Sequence, residues 1–275
     1  MRIVAGVLTV ALLLAPRFAY ADLAAVEALV TKKSAIIEMM HGKARKALVT
    51  AAQDDRYREY FTAGSADERA RLKGEIDRIS LQVQADFHVE EMCLIDPHGA
   101  EISRIVKNSI AYDLATNETE NVFFAPSFAL RPRTVYVSPL YMSADADKWV
   151  IGYVTPIVVD NATKAILHYE HGLATFQQAL NKGQNGDSPY LVAVDDDGRV
   201  ISDSRYPVAT EKRADSESPD DYFQQFTLGD LHLPQLKARL GGGSKGSGSV
   251  TTVGARYDVA YQTVGHWTLI AVDQL

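Results

Sequence analysis

Cysteine is almost missing from these 275 residues: Cys93 stands alone. One thiol excludes an internal disulfide and the stapled small-domain classes, so the fold must rest on its own apolar core. Within EEMCLID, Cys93 reads as a small buried hydrophobe rather than a nucleophile. Positive charge is scarce too. The formal net charge is −7, and without a clustered basic stripe nucleic acid is not a partner. Long apolar runs are confined to the start, where Arg2 precedes IVAGVLTVALLLA (Ile3 to Ala15), a Pro16-Arg17 break and Ala19-Tyr20-Ala21. That run is shorter than the roughly 20 residues of a membrane span, and the small-x-small end marks residues 1–21 as a signal peptide cleaved after Ala21. The mature chain is expected to be exported and water-soluble.

Proline is absent from residue 22 to residue 61, and Gly42 is the one glycine there. Leu23, Val26, Val30, Ile37, Met40, Ala47 and Leu48 recur at helical intervals, which predicts one or two long amphipathic helices. A further helix starts at Ser65, with Glu68 as the reciprocal capping partner and Leu72, Ile76 and Ile79 as its stripe. Beyond Gln84 the period shortens to that of strands: a hairpin from VEEMCLID through Pro-His-Gly to AEISRIV, then strands at 134–142, 149–159 and 165–170. The long segment from Val106 to Arg133 between hairpin and strands reads as a functional cover.

The chain then repeats itself. LIDPHGAEISR (94–104) and AVDDDGRVISD (193–203) align without a gap, matching Asp96 to Asp195 and Gly99 to Gly198. After a helix at 172–183 and the linker KGQNGDSP come a second hairpin, a short helix near Asp221 to Phe226, and strands SVTTVG, RYDVAYQTV and HWTLIAVDQ. This predicts an α+β fold in which a long N-terminal helix carries two tandem antiparallel-sheet modules, 22–183 and 184–275.

In Gly99-x-Glu101-x-x-Arg104, Val135-Tyr136-Val137-Ser138-Pro139-Leu140, Thr155-Pro156 and Gly265-His266-Trp267-Thr268-Leu269, set in this order of elements, the chain resembles the double Cache (PAS-like) extracytoplasmic sensor family. The resemblance spans nearly all of the mature chain. It implies a membrane-distal first module that holds a small molecule and a second module that acts as a spacer. The membrane helices that usually flank such sensors are not seen in this sequence. The expectation is therefore a free-standing, non-enzymatic periplasmic protein reporting to a separate membrane receptor: a kinase, cyclase or chemoreceptor. A degenerate sensor that merely pairs with another chain is the alternative.

In amino-acid-binding members of that family an Arg-x-Trp-Tyr stretch grips the carboxylate, a later Tyr closes the site and an Asp takes the amine. Tyr141 and Glu170 fall where the latter two belong, but the first stretch reads Val122-Phe123-Phe124-Ala125, leaving Arg131 or Arg133 as substitutes for the guanidinium fork. Alternation places Trp149, Ile151, Tyr153 and Thr155 on one strand face, suited to enclosing an organic ligand or cation. The ligand-binding candidates are thus Tyr136, Ser138, Tyr141, Trp149, Tyr153, Glu170, Arg131 and Arg133. His168 and Glu170 share a strand face, but two such groups are a weak metal pattern; no metal or cofactor is expected. GGGSKG (241–246) satisfies both a nucleophile motif and a dinucleotide motif, but it follows a helix and precedes a strand, the reverse of what either requires. It reads as a flexible connection, with no catalytic residue.

Overall fold

The apolar spacing of the first segment produces α1 (Leu23–Ala51), whose inward stripe runs Val26, Val30, Ile37, Ala44 and Leu48. The computed structural model describes residues 23–87, 89–185, 189–211 and 218–275; the leader read at 1–21 lies outside the described residues. Of the one or two helices expected here the structure has two, the first ending at Ala51 and Asp54 capping α2 (Asp55–Thr62) by accepting from the Arg56 N–H. Ser65 caps α3 (Ala66–Phe87) as expected, accepting from the Glu68 N–H at 3.2 Å, while Glu68 reaches back to the Gly64 N–H. No helix among the described residues is long and apolar enough to cross a membrane.

The chain continues through β1 (Glu91–Ile95), β2 (Glu101–Val106), β3 (Ser109–Ile110), α4 (Phe124–Phe128), β4 (Tyr136–Ser143), β5 (Lys148–Val159), β6 (Ala162–Gly172) and α5 (Leu173–Asn181). It then forms β7 (Tyr190–Val194), β8 (Val200–Asp203), α6 (Pro219–Tyr222), β9 (Thr227–Leu228), β10 (Leu231–His232), α7 (Leu233–Arg239), β11 (Lys245–Thr252), β12 (Ala255–Val264) and β13 (Trp267–Gln274). Two large antiparallel sheets, ordered β3-β2-β1-β6-β5-β4 and β11-β12-β13-β7-β8, and a two-stranded ladder of β9 and β10 result among the described residues. Leaving out the short β3, the same arrangement occurs twice: each hairpin's first strand pairs with the last strand of its own set.

The repeated turn has one physical cause in both copies. Asp96 Oδ1 accepts from the His98 and Ala100 N–H groups, and Asp195 Oδ1 accepts from those of Asp197 and Arg199. Gly99 (φ +86°) and Gly198 (φ +80°) take the left-handed backbone that closes each turn. The three glycines at 241–243, all at positive φ, turn the chain from α7 toward β11.

α1 lies across both sheets. A continuous core joins Val26, Ile37 and Leu48 to Leu94, Trp149, Tyr153 and Tyr169 of the first sheet, and to Ala193, Trp267 and Leu269 of the second. Two polar contacts lock the helix in place. His41 Nδ1 is 2.6 Å from the Tyr153 hydroxyl, and the Lys33 ammonium donates to the carbonyls of Ala179 and Lys182 at the end of α5, where a cation is favoured. Each sheet's other face carries its own cover. Residues 107–135 with α4 cover the first, and β9, β10 and α7 cover the second.

Candidate functional site

Polar side chains collect on the first sheet's outer face, away from α1. Strand register determines which ones. Glu91 and Cys93 of β1 stand directly across from Glu170 and His168 of β6, and those in turn from Gly152 and Val154 of β5. The cover brings Glu118, Asn121 and Phe123 down onto this face, and the β4–β5 turn brings Asp145. Between them lies a cavity of about 120 Å³ bordered by Glu91, Cys93, Glu118, Asp145, His168 and Glu170, with Tyr141 and Phe123 as its aromatic walls.

The Tyr141 hydroxyl donates to Glu170 Oε1 at 2.8 Å and lies 2.9 Å from His168 Nε2. With Glu170 ionised, the phenol's single proton is used there, so His168 donates from Nε2. Burial holds the imidazole neutral, its pKa lowered to about 3, and Phe123 stacks on it at 4.0 Å. Burial also pushes Glu170 up to about 7, against the opposing pull of the Ser143 and Tyr141 hydroxyls. Glu118 is likewise raised to about 7, first by burial and then by Glu101 and Asp145. Glu91 lies well above the usual carboxylate range, because burial and the facing Glu170 both oppose its ionisation. Glu170 Oε2 and His168 Nδ1, both on residues that line the cavity, are buried without a hydrogen-bond partner, as is Arg104 Nε beside it.

Arg104 is the nearby cation, and its two terminal nitrogens are held by acids. Its guanidinium is 2.8 Å from both Asp113 and Asp145 and 3.6 Å from Glu101. It therefore ties β2 to the cover and to the β4–β5 turn, and among the described residues no lysine or arginine borders the cavity itself.

Of the residues expected from sequence, Tyr141 and Glu170 meet at this cavity. Ser138 stands beside them, accepting from the Gly152 N–H at 2.8 Å, and Tyr136 packs on the same face near Phe123. Two expectations are corrected. Trp149 and Tyr153 do share a face of β5, but it is the α1 face: Trp149 packs edge-on against Tyr222 and Phe223, and Tyr153 holds His41. β5 is buried on both sides, so alternation does not tell which side meets the cover. Arg131 and Arg133 are exposed and border no part of the cavity. Sequence reasoning does not single out Glu91, Glu101, Glu118 or Asp145 as site residues, and it reads Cys93 as a plain hydrophobe.

A signal for these residues is present in the duplication. The positions of Glu91, Cys93 and Glu101 are filled in the second copy by Tyr190, Val192 and Val200. Register matches His168 and Glu170 to Ile270 and Val272. The same sheet therefore packs with apolar side chains where the first copy places acids, a thiol and an imidazole. The fold does not require those polar groups.

Gly152 of β5 lies close behind the Tyr141–His168 pair. A Cβ there meets the Tyr141 hydroxyl at 3.0 Å and His168 Nε2 at 3.1 Å. Gly152→Ala is therefore expected to separate that pair and cost about 1–3 kcal/mol by overpacking. A lower urea midpoint with unchanged slope checks this.

Neither a family model nor a curated protein is similar to this sequence. Solved structures are. The sensory domain of the Campylobacter jejuni chemoreceptor Tlp3 with isoleucine bound superposes with a TM-score of 0.69 at 13% identity, over 92% of this chain and 92% of that one. The same receptor's ligand-binding domain in complex with L-norvaline gives 0.70 at 11% identity, over 92% and 90%. The sensor domain of the V. cholerae histidine kinase DctB gives 0.59 at 15% identity, over 92% and 97%. At such identities the likeness is one of architecture, and it runs the length of both sheets and the helix that joins them. This chain has the fold of the double Cache sensory domains.

Proposed function

We propose that this protein is an exported, non-enzymatic sensory protein that captures a small, positively charged molecule in the cavity over its first sheet and reports to a separate membrane receptor. The observation that carries this reading is the charge of the cavity. Glu91, Glu118, Asp145 and Glu170 border a space that, among the described residues, no lysine or arginine lines and whose one imidazole, His168, is held neutral by burial, and one buried carboxylate oxygen there is unpartnered. Buried carboxylates without a counter-charge are costly, and a cation removes that cost.

The Tlp3 domains bind isoleucine and norvaline, ligands with a carboxylate of their own. Here Arg104 already holds Asp113 and Asp145 and lies outside the cavity lining, so no guanidinium stands in the cavity for a ligand carboxylate. Reporting follows from how the cover is held. Arg104 links it to β2 and the β4–β5 turn, and α1 packs on both sheets. A cation that draws Asp145 or Glu118 inward favours a closed cover, and it shifts the population only through its differential affinity for the two states.

Thermal-shift screening of residues 22–275 against small amines, divalent metal ions, carboxylates and α-amino acids tests this. Stabilisation by members of the cationic sets, and its loss in Glu170→Gln, is the expected pattern. Stabilisation by carboxylates alone contradicts it.

A further inference from the structure

We infer that Glu91, Cys93 and Glu101 form a binding site for a divalent transition metal of zinc's class. This inference rests on the cation-binding reading of the same cavity and names its ligand. One donor atom from each of the three residues lies within 4.8 Å of the others, and all three side chains are buried. Cys93 Sγ is 2.7 Å from Glu91 Oε1 and 3.2 Å from Glu101 Oε1. A tetrahedral zinc ion, with Zn–S about 2.3 Å and Zn–O about 2.0 Å, sets its sulfur and oxygen ligands roughly 3.5 Å apart. Side-chain shifts of less than about 1 Å in the two thiol–carboxylate separations therefore accommodate it.

Three further observations favour a metal over chance proximity. Glu101 is oriented from behind: its Oε2 accepts from the Ala115 N–H at 2.6 Å while Oε1 faces Cys93, the outer-shell support that ligating carboxylates receive. Glu170 borders the same cavity directly across from Glu91, and its buried Oε2 is unpartnered, a candidate fourth ligand. The second copy, with Tyr190, Val192 and Val200 at the three positions, packs the same strands without any of these groups.

The donor set also selects the ion. A thiolate with carboxylates suits zinc and its neighbours, whereas magnesium and calcium take oxygen ligands. Coordination replaces the thiol proton and any carboxyl proton, which leave to solvent as the metal enters. The site also couples to the cover. Glu101 holds Ala115 through both its backbone N–H and its side chain, so fixing Glu101 fixes the cover's first turn.

The experiment uses residues 22–275, stripped with a chelator and titrated with zinc chloride by calorimetry. Cobalt(II) serves as the spectroscopic probe. One zinc per chain is expected, together with a near-ultraviolet thiolate-to-cobalt charge-transfer band. Cys93→Ser should abolish the band and weaken zinc at least about tenfold, equivalent to 1.4 kcal/mol, and Glu101→Gln should weaken it as well. The cobalt band on the unaltered protein stands as a test even if the Cys93 variant fails to fold. Absence of zinc binding, or zinc bound with no thiolate band, overturns the inference. If amines bind in a Glu170-dependent way while zinc does not, the metal inference falls and the cation-binding reading stands. If neither binds, both fall.

Discussion

Glu170→Gln is expected to stabilise the ligand-free protein above neutral pH by about 3 kcal/mol while removing its affinity for cations. Glu170 is 3% exposed, and its folded pKa of about 7 lies above the ordinary 4.5. The folded state thus keeps a proton that the unfolded chain has already released. Stability contributed by the protonated form is complete below the unfolded pKa and is lost as pH rises from there through the folded one. Between pH 5 and pH 8 wild type should therefore lose stability in urea relative to the glutamine variant, Glu118 and Glu91 keeping their own share of the pH dependence in both proteins. A bound cation reverses the penalty, so its stabilising effect should grow with pH over the same window.

Trp149→Ala is expected to cost about 3–5 kcal/mol, whereas the cation affinity of the protein that remains folded should stay unchanged. Trp149 is 1% exposed and wedged against Tyr222 and Phe223, so truncation leaves a cavity between the first sheet and α6. It lies on the α1 side of β5, with the strand's own backbone between it and Glu170. Chemical denaturation and calorimetry on one preparation separate the two effects. A loss of affinity matching the loss of stability contradicts the assignment of faces.

These two residues also mark the boundary between what local sequence chemistry discloses and what it hides. Helix stripes, the Ser65 cap and the paired Asp-x-x-Gly turns are legible because each depends on neighbouring residues alone: a 3.6-residue period, a hydroxyl acceptor, a glycine at positive φ. The meeting of Tyr141 with Glu170 is expected through family resemblance and is observed as a 2.8 Å hydrogen bond. The correct face of β5 is not legible. A strand buried on both sides has no polar face to reveal its orientation. Cys93 looks like a plain hydrophobe for a related reason: its carboxylate neighbours are Glu91, two residues away on the same strand, and Glu101, brought alongside across the hairpin. Comparing the two copies position by position exposes both acids, since Tyr190 and Val200 occupy their places.

Amide hydrogen exchange with and without zinc, or the tightest amine from the screen, tests most directly whether the first sheet's outer face is the binding face. Exchange should slow across the cover from Ala111 to Phe124 and stay unchanged from Phe226 to Leu240 over the second sheet. Protection confined to the second cover, or none over the first, contradicts the account.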